Sequence, residues 1–179
     1  PPSCVTQSRE DMMDFVAHIG EVVVKPTNGH GGKSIFHIKK HDSNKNVILE
    51  TVTHNFTREI IVQQYVKEAK DGDKRILLLN GEPLGAVLRK QKEDDHRHNF
   101  FSGGEALKAE ITDRDREVIE HLKPYLKEQG LYFVGIDMLG TYLTEVNVTS
   151  PTCLQEINSL EGLKLHHQVL EFAENFDKK

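Results

Sequence analysis

Three oxygen-bearing side chains near residue 140 could together bind a divalent metal ion. Asp137 lies in one β-rich segment, Glu145 and Asn147 lie in the next, and Gly140-Thr141 stands between the segments. A turn at that dipeptide predicts a hairpin with Glu145 and Asn147 on one side and Asp137 close to opposite Glu145. Such hard oxygen ligands suit Mg²⁺, which completes its shell with water and phosphate. A hairpin with polar residues facing water would alternate in the same way, so both interpretations stay open.

A glycine-rich loop, Thr27-Asn-Gly-His-Gly-Gly32, separates two predicted strands in the first third of the chain. Glycine lets backbone N–H groups approach a phosphate closely, so this loop could cover a nucleotide. It does not match the P-loop or the dinucleotide fingerprint, because Thr27 and Ser34 stand where those motifs need glycine. Both motifs also open a helix, whereas a strand follows here. A hairpin loop without a ligand is the alternative.

Two arginines stand at one end of a second predicted hairpin. Asn80-Gly81 between apolar runs is a strong hairpin signal, and it places Arg75 near Arg89. Two guanidinium groups can bind a phosphate or carboxylate in a bidentate manner, although two solvated strand ends would show the same pattern. The hydrophilic stretch 90–105, which includes Gly103-Gly104, is a long loop of a kind that is usually functional or disordered.

Helix caps and hydrophobic periodicity predict the elements that position these side chains. Ser8 and Thr112 each precede an amphipathic segment and have aspartate three residues later, which predicts helices that end near Gly20 and Gly130. Short apolar runs predict strands over 47–51 and 60–66. The C-terminal segment 162–176 is predicted to be an amphipathic helix. Its expected core residues are Leu163, Val169, Leu170 and Phe176.

Length and composition restrict the class of protein. The 179 residues suffice for one domain or two small lobes, and the net charge of −5 without a basic tract argues against nucleic-acid binding. No apolar run approaches the roughly 18–20 residues that span a bilayer, and no signal peptide is visible. Cys4 and Cys153 alone give no disulfide framework, so we expect a cytoplasmic protein without a membrane partner. The chain begins Pro-Pro without Met, which suggests a fragment or a processed product.

Six short motifs occur in the order and at the spacing of one family. Together they make nearly the whole chain resemble the ATP-grasp domain of bacterial glutathione synthetase. The motifs are Lys25-Pro-x-x-Gly-x-Gly-Gly32 with Ser34-Ile-Phe36, Lys70-Asp-Gly-Asp-Lys-Arg75, Asn80-Gly-Glu-Pro83, Arg97-x-Asn99 with Gly103-Gly104, Phe133-Val-Gly-x-Asp137, and Thr144-Glu-x-Asn-Val-Thr-Ser-Pro-Thr-Cys153.

The resemblance implies an α+β ATP-grasp fold: two β-rich lobes with helices packed on mostly antiparallel sheets, and a nucleotide between the lobes. A change to charged residues after Val66 places the boundary, so we predict a small subdomain 1–66 with the glycine-rich loop. The large subdomain 67–179 would hold the metal and the substrates.

The resemblance also implies a role for individual residues. Lys25 would contact ATP, the loop 28–34 would close over its phosphates, the backbone of 64–66 would meet the adenine edge, and Asp73 would meet the ribose. The implied ATP-binding residues are Lys25, Asn28, Gly29, Gly31, Gly32, Ser34, Gln64, Tyr65, Val66 and Asp73.

The metal and the substrates are assigned in the same way. Asp137, Glu145 and Asn147 match the family's ligands for Mg²⁺, with Mn²⁺ as an alternative metal. Arg75 and Arg89 are the expected catalytic residues, holding the transferred phosphate and the acid substrate's carboxylate. The remaining substrate-binding residues would be Arg97, Asn99, Gly103, Gly104, Ser150 and Thr152.

The implied activity is the ATP-dependent joining of γ-glutamylcysteine to glycine through an acyl phosphate. Two alternatives stay open: a ligase for another acid and amine, and a non-catalytic nucleotide-binding module that needs a partner domain. The family's enzymes carry a further N-terminal domain, so that domain is an expected partner, and a homo-oligomer also stays open. Lys33 and Glu105 depart from the family, which has a small residue and usually an arginine there. The second departure weakens the substrate assignment.

Overall fold

The computed structural model describes residues 1–28, 34–90 and 105–176. The chain separates into two compact units, 1–67 and 68–179. Each unit is built on one sheet in which every described pairing is antiparallel, with helices packed on it, so the predicted α+β class is confirmed. None of the helices in those ranges has both the length and the apolar character that crossing a bilayer requires.

The first unit is a four-stranded sheet with two helices on one face. Its strands are β1 (Ser3–Thr6), β2 (Glu21–Pro26), β3 (Phe36–Lys39) and β4 (Ile60–Gln64), in the order β1-β4-β2-β3. Helices α1 (Arg9–Ile19) and α2 (Lys45–Val52) cover it. Because side chains alternate along a strand, the buried Val22 and Val24 face the helices while Lys25 lies on the opposite face.

The second unit is a five-stranded sheet with helices on both faces. Its strands are β5 (Asp73–Leu79), β6 (Glu82–Lys90), β7 (Glu105–Lys108), β8 (Phe133–Leu139) and β9 (Tyr142–Asn147), in the order β7-β6-β5-β8-β9. Helix α3 (Asp113–Glu128) packs on one face over Ile76 and Ile136. Helices α4 (Leu154–Glu161) and α5 (Leu165–Glu174) pack on the other face, over Leu77 and Val87.

Both predicted hairpins of this unit are confirmed. Asn80 and Gly81 have φ of 53° and 77°, and two positive φ values are what a two-residue hairpin turn requires. The second hairpin turns at Gly140-Thr141, where Gly140 has φ 56°. Asp137 pairs with Glu145 in the ladder, as the placement of that turn predicts.

The helices predicted from Ser8 and Thr112 are also confirmed. The backbone N–H of Asp11 donates to the Ser8 side chain at 3.3 Å, which caps α1. At α3 the arrangement is reciprocal: the Asp115 N–H donates to Thr112 Oγ1, and the Thr112 N–H donates to the Asp115 carboxylate at 2.8 Å. Each cap satisfies N–H groups that a helix start would otherwise leave unpaired.

The strand predicted over 47–51 is wrong, because these residues belong to helix α2. Leu49 and Val52, three positions apart, are the buried residues of that helix. An apolar run this short fits either a strand or one face of a helix, so its tertiary contacts decide. Strands β1 and β7 and helix α4 were not predicted, since four to eight residues give weak periodicity.

The predicted C-terminal helix is shorter than expected and its core assignment is wrong. Gly162, with φ 67°, ends α4, and α5 begins only at Leu165. Leu165 is the buried residue of α5, whereas Leu163, Leu170 and Phe176 are 48%, 60% and 46% exposed. Val169 is half-buried. The left-handed Gly162 therefore ends α4 and separates it from α5, which buries Leu165 instead of the predicted residues.

Candidate functional site

Four charged residues form a buried cluster on the second unit's sheet, and we call it the arginine–aspartate cluster. It consists of Asp73, Arg75, Arg89 and Asp137. Arg75 donates through Nε and Nη2 to the two oxygens of Asp137, the second bond measuring 2.8 Å. Arg89 Nη2 lies 2.9 Å from Asp137 Oδ2 and also contacts both oxygens of Asp73. Arg75, Arg89 and Asp137 are only 5%, 6% and 2% exposed, so this is a desolvated ionic network.

The strand register produces this cluster. Asp73 pairs with Arg89 across β5 and β6, and Arg75 pairs with Asp137 across β5 and β8. Directly paired residues share a face, and residues two apart on a strand share it too, so all four side chains point to the face that carries α4. The predicted proximity of Arg75 and Arg89 is therefore confirmed, and Asp137 is the residue that joins them.

Burial and neighbouring charges shift the pKa values of the two aspartates in opposite directions. For Asp73, burial and the charge of Asp137 raise the pKa to about 7, against the opposing effect of Arg89. For Asp137, burial acts to raise the pKa, but the Arg75 hydrogen bonds and the charges of Arg89 and Arg75 outweigh it, so the pKa is lowered. Asp137 is therefore the carboxylate that stays ionised near neutral pH, since it has two guanidinium partners.

The pKa values of both arginines are raised. Burial opposes the charge of Arg75, but the hydrogen bonds and charge of Asp137 outweigh it. For Arg89, burial is likewise outweighed by the charges of Asp137 and Asp73. Both side chains are therefore permanent cations, held in place before any ligand arrives.

The predicted metal ligands lie together at the edge of this cluster. Glu145 is exposed and pairs with Asp137, and Asn147 Nδ2 lies 3.4 Å from Asp137 Oδ2. The three predicted ligands are two carboxylates and one carboxamide. Within the described ranges, no group of three or more His, Cys, Asp or Glu side chains could hold a metal ion. Among the described residues only Arg75 donates a hydrogen bond to Asp137 Oδ1, and a carboxylate oxygen has two lone pairs. The donor set therefore fits a hard cation such as Mg²⁺.

Gly135 lies beside the cluster and within the Phe133–Asp137 motif, but the sequence analysis assigned it no role. A Cβ added there would lie 3.0 Å from Pro151 Cβ and 3.1 Å from Arg75 Cδ. The missing side chain lets Arg75 cross the strand toward Asp137 while the 150–153 turn packs above it. The signal was available, since an isolated glycine inside a strand pattern often marks such a close approach.

Cys153 ends the last of the six motifs and was likewise assigned no role at the site. It is 2% exposed and has φ 90°, a left-handed value that is uncommon outside glycine. Burial raises the pKa of its thiol, against the opposing effects of Thr152 and the two arginines. The predicted substrate residues Ser150 and Thr152 are exposed in the same turn, and Ser150 also has positive φ, at 49°.

The predicted ATP-binding residues other than Asp73 belong to the first unit. Lys25 lies on β2, where its Nζ donates to Gln63 Oε1 at 3.4 Å. The backbone N–H groups of Gln64 and Tyr65 donate to Pro2 O at 2.9 Å and to Glu21 O at 3.0 Å. Val66 is buried just after β4.

The remaining predicted residues flank or fall in undescribed parts of the chain. Asn28 and Ser34 are exposed on either side of 29–33, and Ser34 has φ 59°. Seven predicted residues lie outside the described residues: Gly29, Gly31, Gly32, Arg97, Asn99, Gly103 and Gly104.

An open cavity of about 420 Å³ in the second unit is separate from the arginine–aspartate cluster. Its lining includes Lys74, Leu88 and Met138, each one position from a cluster residue along its strand. Alternation therefore places it on the α3 face of the sheet. None of the predicted site residues within the described ranges lines it.

Sequence comparison finds glutathione synthetases among the relatives of this chain. The family described as "Prokaryotic glutathione synthetase, ATP-grasp domain" matches residues 1–162. Glutathione synthetase from Gloeobacter violaceus is 45% identical over 178 residues, which cover 99% of this chain and 55% of that protein. The Pseudomonas aeruginosa enzyme is 40% identical over 172 residues, covering 96% and 54%. The chain therefore spans about half the length of the curated relatives it matches.

Solved structures agree on the fold. D-alanine–D-alanine ligase from Bacillus anthracis, in a complex with ATP, superposes with a TM-score of 0.67 and 18% identity over 99% of this chain and 61% of that one. D-cycloserine synthetase superposes with a TM-score of 0.68 and 18% identity, over 87% of this chain and 59% of that one. At this identity the likeness shows the fold alone, and the predicted ATP-grasp fold is confirmed.

Proposed function

The chain belongs to the prokaryotic glutathione synthetase family, as its ATP-grasp domain, and from this we propose that it joins γ-glutamylcysteine to glycine using ATP. Glutathione, ADP and phosphate would be the products. The arginine–aspartate cluster is the observation that carries the proposal. A ligase needs fixed positive charge where phosphoryl and acyl oxygens gain negative charge, and Arg75 and Arg89 supply it from a buried network.

Preorganisation is what the cluster contributes. Asp137 holds the guanidinium of Arg75 through two bonds and that of Arg89 through one, so neither side chain must be ordered when substrates bind. Fixed dipoles and charges in a water-poor site stabilise a transition state more than mobile ones, because little reorganisation is needed. We assign Arg75 and Arg89 to the transferred phosphate and the acid substrate's carboxylate.

The first unit would bind ATP. Lys25 would approach its phosphates together with the loop that includes Asn28, Gly29, Gly31, Gly32 and Ser34. Because the Gln64 and Tyr65 N–H groups already donate within the unit, the adenine edge would be read by the Val66 N–H and by backbone carbonyls. Asp73 would meet the ribose through whichever lone pairs Arg89 leaves available.

Asp137, Glu145 and Asn147 would hold Mg²⁺, with Mn²⁺ as an alternative. When bound, the metal offsets the negative charge of the β- and γ-phosphates. Glu145 is an exposed ligand, whereas Asp137 is buried and bonded to two arginines. The chain's own contribution is to hold these oxygens beside the arginines.

The chemistry then takes two displacements. A carboxylate oxygen of γ-glutamylcysteine attacks the γ-phosphorus and ADP leaves, giving an acyl phosphate. The glycine amine attacks the acyl carbon, the C–O bond to phosphate breaks, and the amine proton is released as the amide forms. Water would hydrolyse the acyl phosphate, so the site must exclude it during both steps. Arg97, Asn99, Gly103, Gly104, Ser150 and Thr152 are assigned to the two substrates.

A further domain would contribute to substrate binding, since the curated relatives are about twice as long as this chain. We place the reaction in the cytoplasm, where reduced thiols and ATP are available.

The experiment is ADP release by the chain with MgATP, γ-glutamylcysteine and glycine, omitting each acceptor in turn. Release that needs both acceptors supports the proposal. Release with a different acid or amine would replace the substrate assignment, and MgATP binding without turnover would favour a nucleotide-binding module. Glu145→Ala should abolish turnover with little loss of folding, and Glu128→Ala, which removes an exposed glutamate at the end of α3, is the matched control.

Arg75→Ala tests the cluster directly. It should impair phosphoryl transfer more than MgATP binding, because the assigned role is at the transferred phosphate. Equal loss of both would instead indicate a structural role for Arg75.

A further inference from the structure

Three residues of the first unit, Glu21, His37 and Tyr65, contact one another on the face opposite its core. His37 on β3 stacks on Tyr65, with ring centroids 4.1 Å apart and planes inclined by 20°. The third residue is Glu21 on β2, whose Oε1 lies 2.8 Å from His37 Nε2. The backbone carbonyl of the same Glu21 accepts the Tyr65 N–H at 3.0 Å. Glu21 therefore holds the backbone of Tyr65 and His37 holds its ring, and Glu21 and His37 also contact each other.

The strand pairing explains why these residues meet. His37 pairs with Val23, and Val23 is two residues from Glu21 along β2. The side chains of His37 and Glu21 therefore share a face. Val22 and Ile38, their neighbours in sequence, are fully buried on the other face and fix this orientation. The contact between His37 and Glu21 is half-buried, with side-chain exposures of 22% and 35%. The stacked ring of Tyr65 is also only partly exposed.

Two residues of this set lie in or next to the two segments of this unit that are assigned to the nucleotide. Tyr65 is the middle residue of the segment 64–66, which is assigned to the adenine edge. His37 lies three residues after Ser34, at the exit of the loop assigned to the phosphates. A flat ring stacked on Tyr65 restricts the rotation of its side chain, and the restriction extends to the adjoining backbone.

We infer that His37 is a positioning residue for the nucleotide base: by stacking on Tyr65 it holds the backbone of 64–66 in the conformation that recognises adenine. Glu21 orients the imidazole and anchors the Tyr65 N–H. The inference rests on the proposed function, because a positioning role for the base requires that this unit binds a nucleotide. It concerns the base only and leaves phosphate recognition to the loop and Lys25.

The test compares binding of MgATP with binding of Mg-tripolyphosphate, measured by calorimetry on the whole chain. His37→Ala should raise the Kd for MgATP by about 3- to 10-fold, the range expected for losing one aromatic pair, and leave the Kd for tripolyphosphate unchanged. His37→Phe keeps a ring on Tyr65 and should restore most of the ATP affinity. His41→Ala, which removes an exposed histidine just after β3, is the matched control and should bind like wild type.

A second measurement reads the positioning without a ligand. Hydrogen exchange of the Tyr65 amide should accelerate in His37→Ala, because the ring that holds Tyr65 is lost, while the Met12 and Val62 amides in the core keep their protection. Circular dichroism checks that each variant folds.

Each remaining outcome counts against the inference. Equal MgATP affinity in wild type and His37→Ala would refute it, as would an equal loss for both ligands, which indicates general damage to the unit. A wild-type chain that binds no MgATP would refute the proposed function itself, and the role of His37 with it. The two failures are distinguishable because the second is already seen in the wild-type chain, before any variant is compared with it.

Discussion

Asp73 should make the stability of this protein fall as the pH rises from about 4 to 7. Its pKa is raised from 3.8 to about 7, chiefly by burial and then by the charge of Asp137. A group whose pKa is higher in the folded state stabilises the fold fully below its unfolded pKa and loses that contribution as pH rises through the folded value. Asp137 has a lowered pKa and therefore acts in the opposite direction, at pH values below this window.

The size of the effect follows from the two pKa values. A rise from 3.8 to about 7 corresponds to about 4 kcal/mol, at about 1.4 kcal/mol for each pH unit. Asp73 shares Arg89 with Asp137, so ionising both carboxylates divides one guanidinium between them. We expect the observed change to be of this order and to level off above pH 7.

The perturbation is Asp73→Asn, which keeps the shape of the side chain and removes its titration. Urea unfolding is followed by tyrosine fluorescence and circular dichroism between pH 4 and 8 without divalent metal. The difference in unfolding free energy, wild type minus variant, should fall by about 4 kcal/mol across the window. Contributions that both proteins share cancel in the difference.

Asp71→Asn is the matched control, since it removes an exposed aspartate two residues earlier. Its unfolding free energy is measured at the same pH values, so that the effect of the Asp-to-Asn change itself is known. If the Asp73→Asn difference stays level, to within about 0.5 kcal/mol, the assignment of a raised pKa to Asp73 is refuted.

Three substitutions test other parts of the second unit by chemical denaturation. Gly135→Ala should destabilise by about 1–3 kcal/mol, because the new Cβ would lie 3.1 Å from Arg75 Cδ; wild-type stability would mean that Arg75 can move aside at no cost. Thr112→Ala removes the side-chain cap of α3 and should cost about 1 kcal/mol; no change would indicate that water replaces the cap. Ile157→Ala shortens the buried side chain of α4 and should cost about 2–5 kcal/mol, whereas a loss below about 1 kcal/mol would show that the helix moves into the space.

The sequence by itself determined the family, the two hairpins and two capped helices. These features are local: Asn80-Gly81 specifies a turn through its backbone preferences, and Ser8 and Thr112 specify helix starts through side-chain bonds to nearby N–H groups. Placing the turn at Gly140-Thr141 was enough to set Asp137 opposite Glu145, because the period of a strand is fixed.

Tertiary structure decided whatever depends on contacts between distant segments. Residues 47–51 carry an apolar pattern that fits a strand, and only packing against the sheet selects the helix that buries Leu49 and Val52. In the tail, α4 ends at Gly162 and α5 buries Leu165, whereas Leu163, Leu170 and Phe176 are exposed.

The arginine–aspartate cluster depends on both local sequence signals and contacts between distant segments. The sequence placed Arg75 near Arg89 and Asp137 near Glu145, each within one hairpin. Only the pairing of β5 with β8 brings Asp137 between the arginines, and only the absence of a side chain at Gly135 gives Arg75 the space to reach it. Hairpin register is set by a local turn, whereas the pairing of strands from different hairpins is set by the core on both faces of the sheet, which no local pattern encodes.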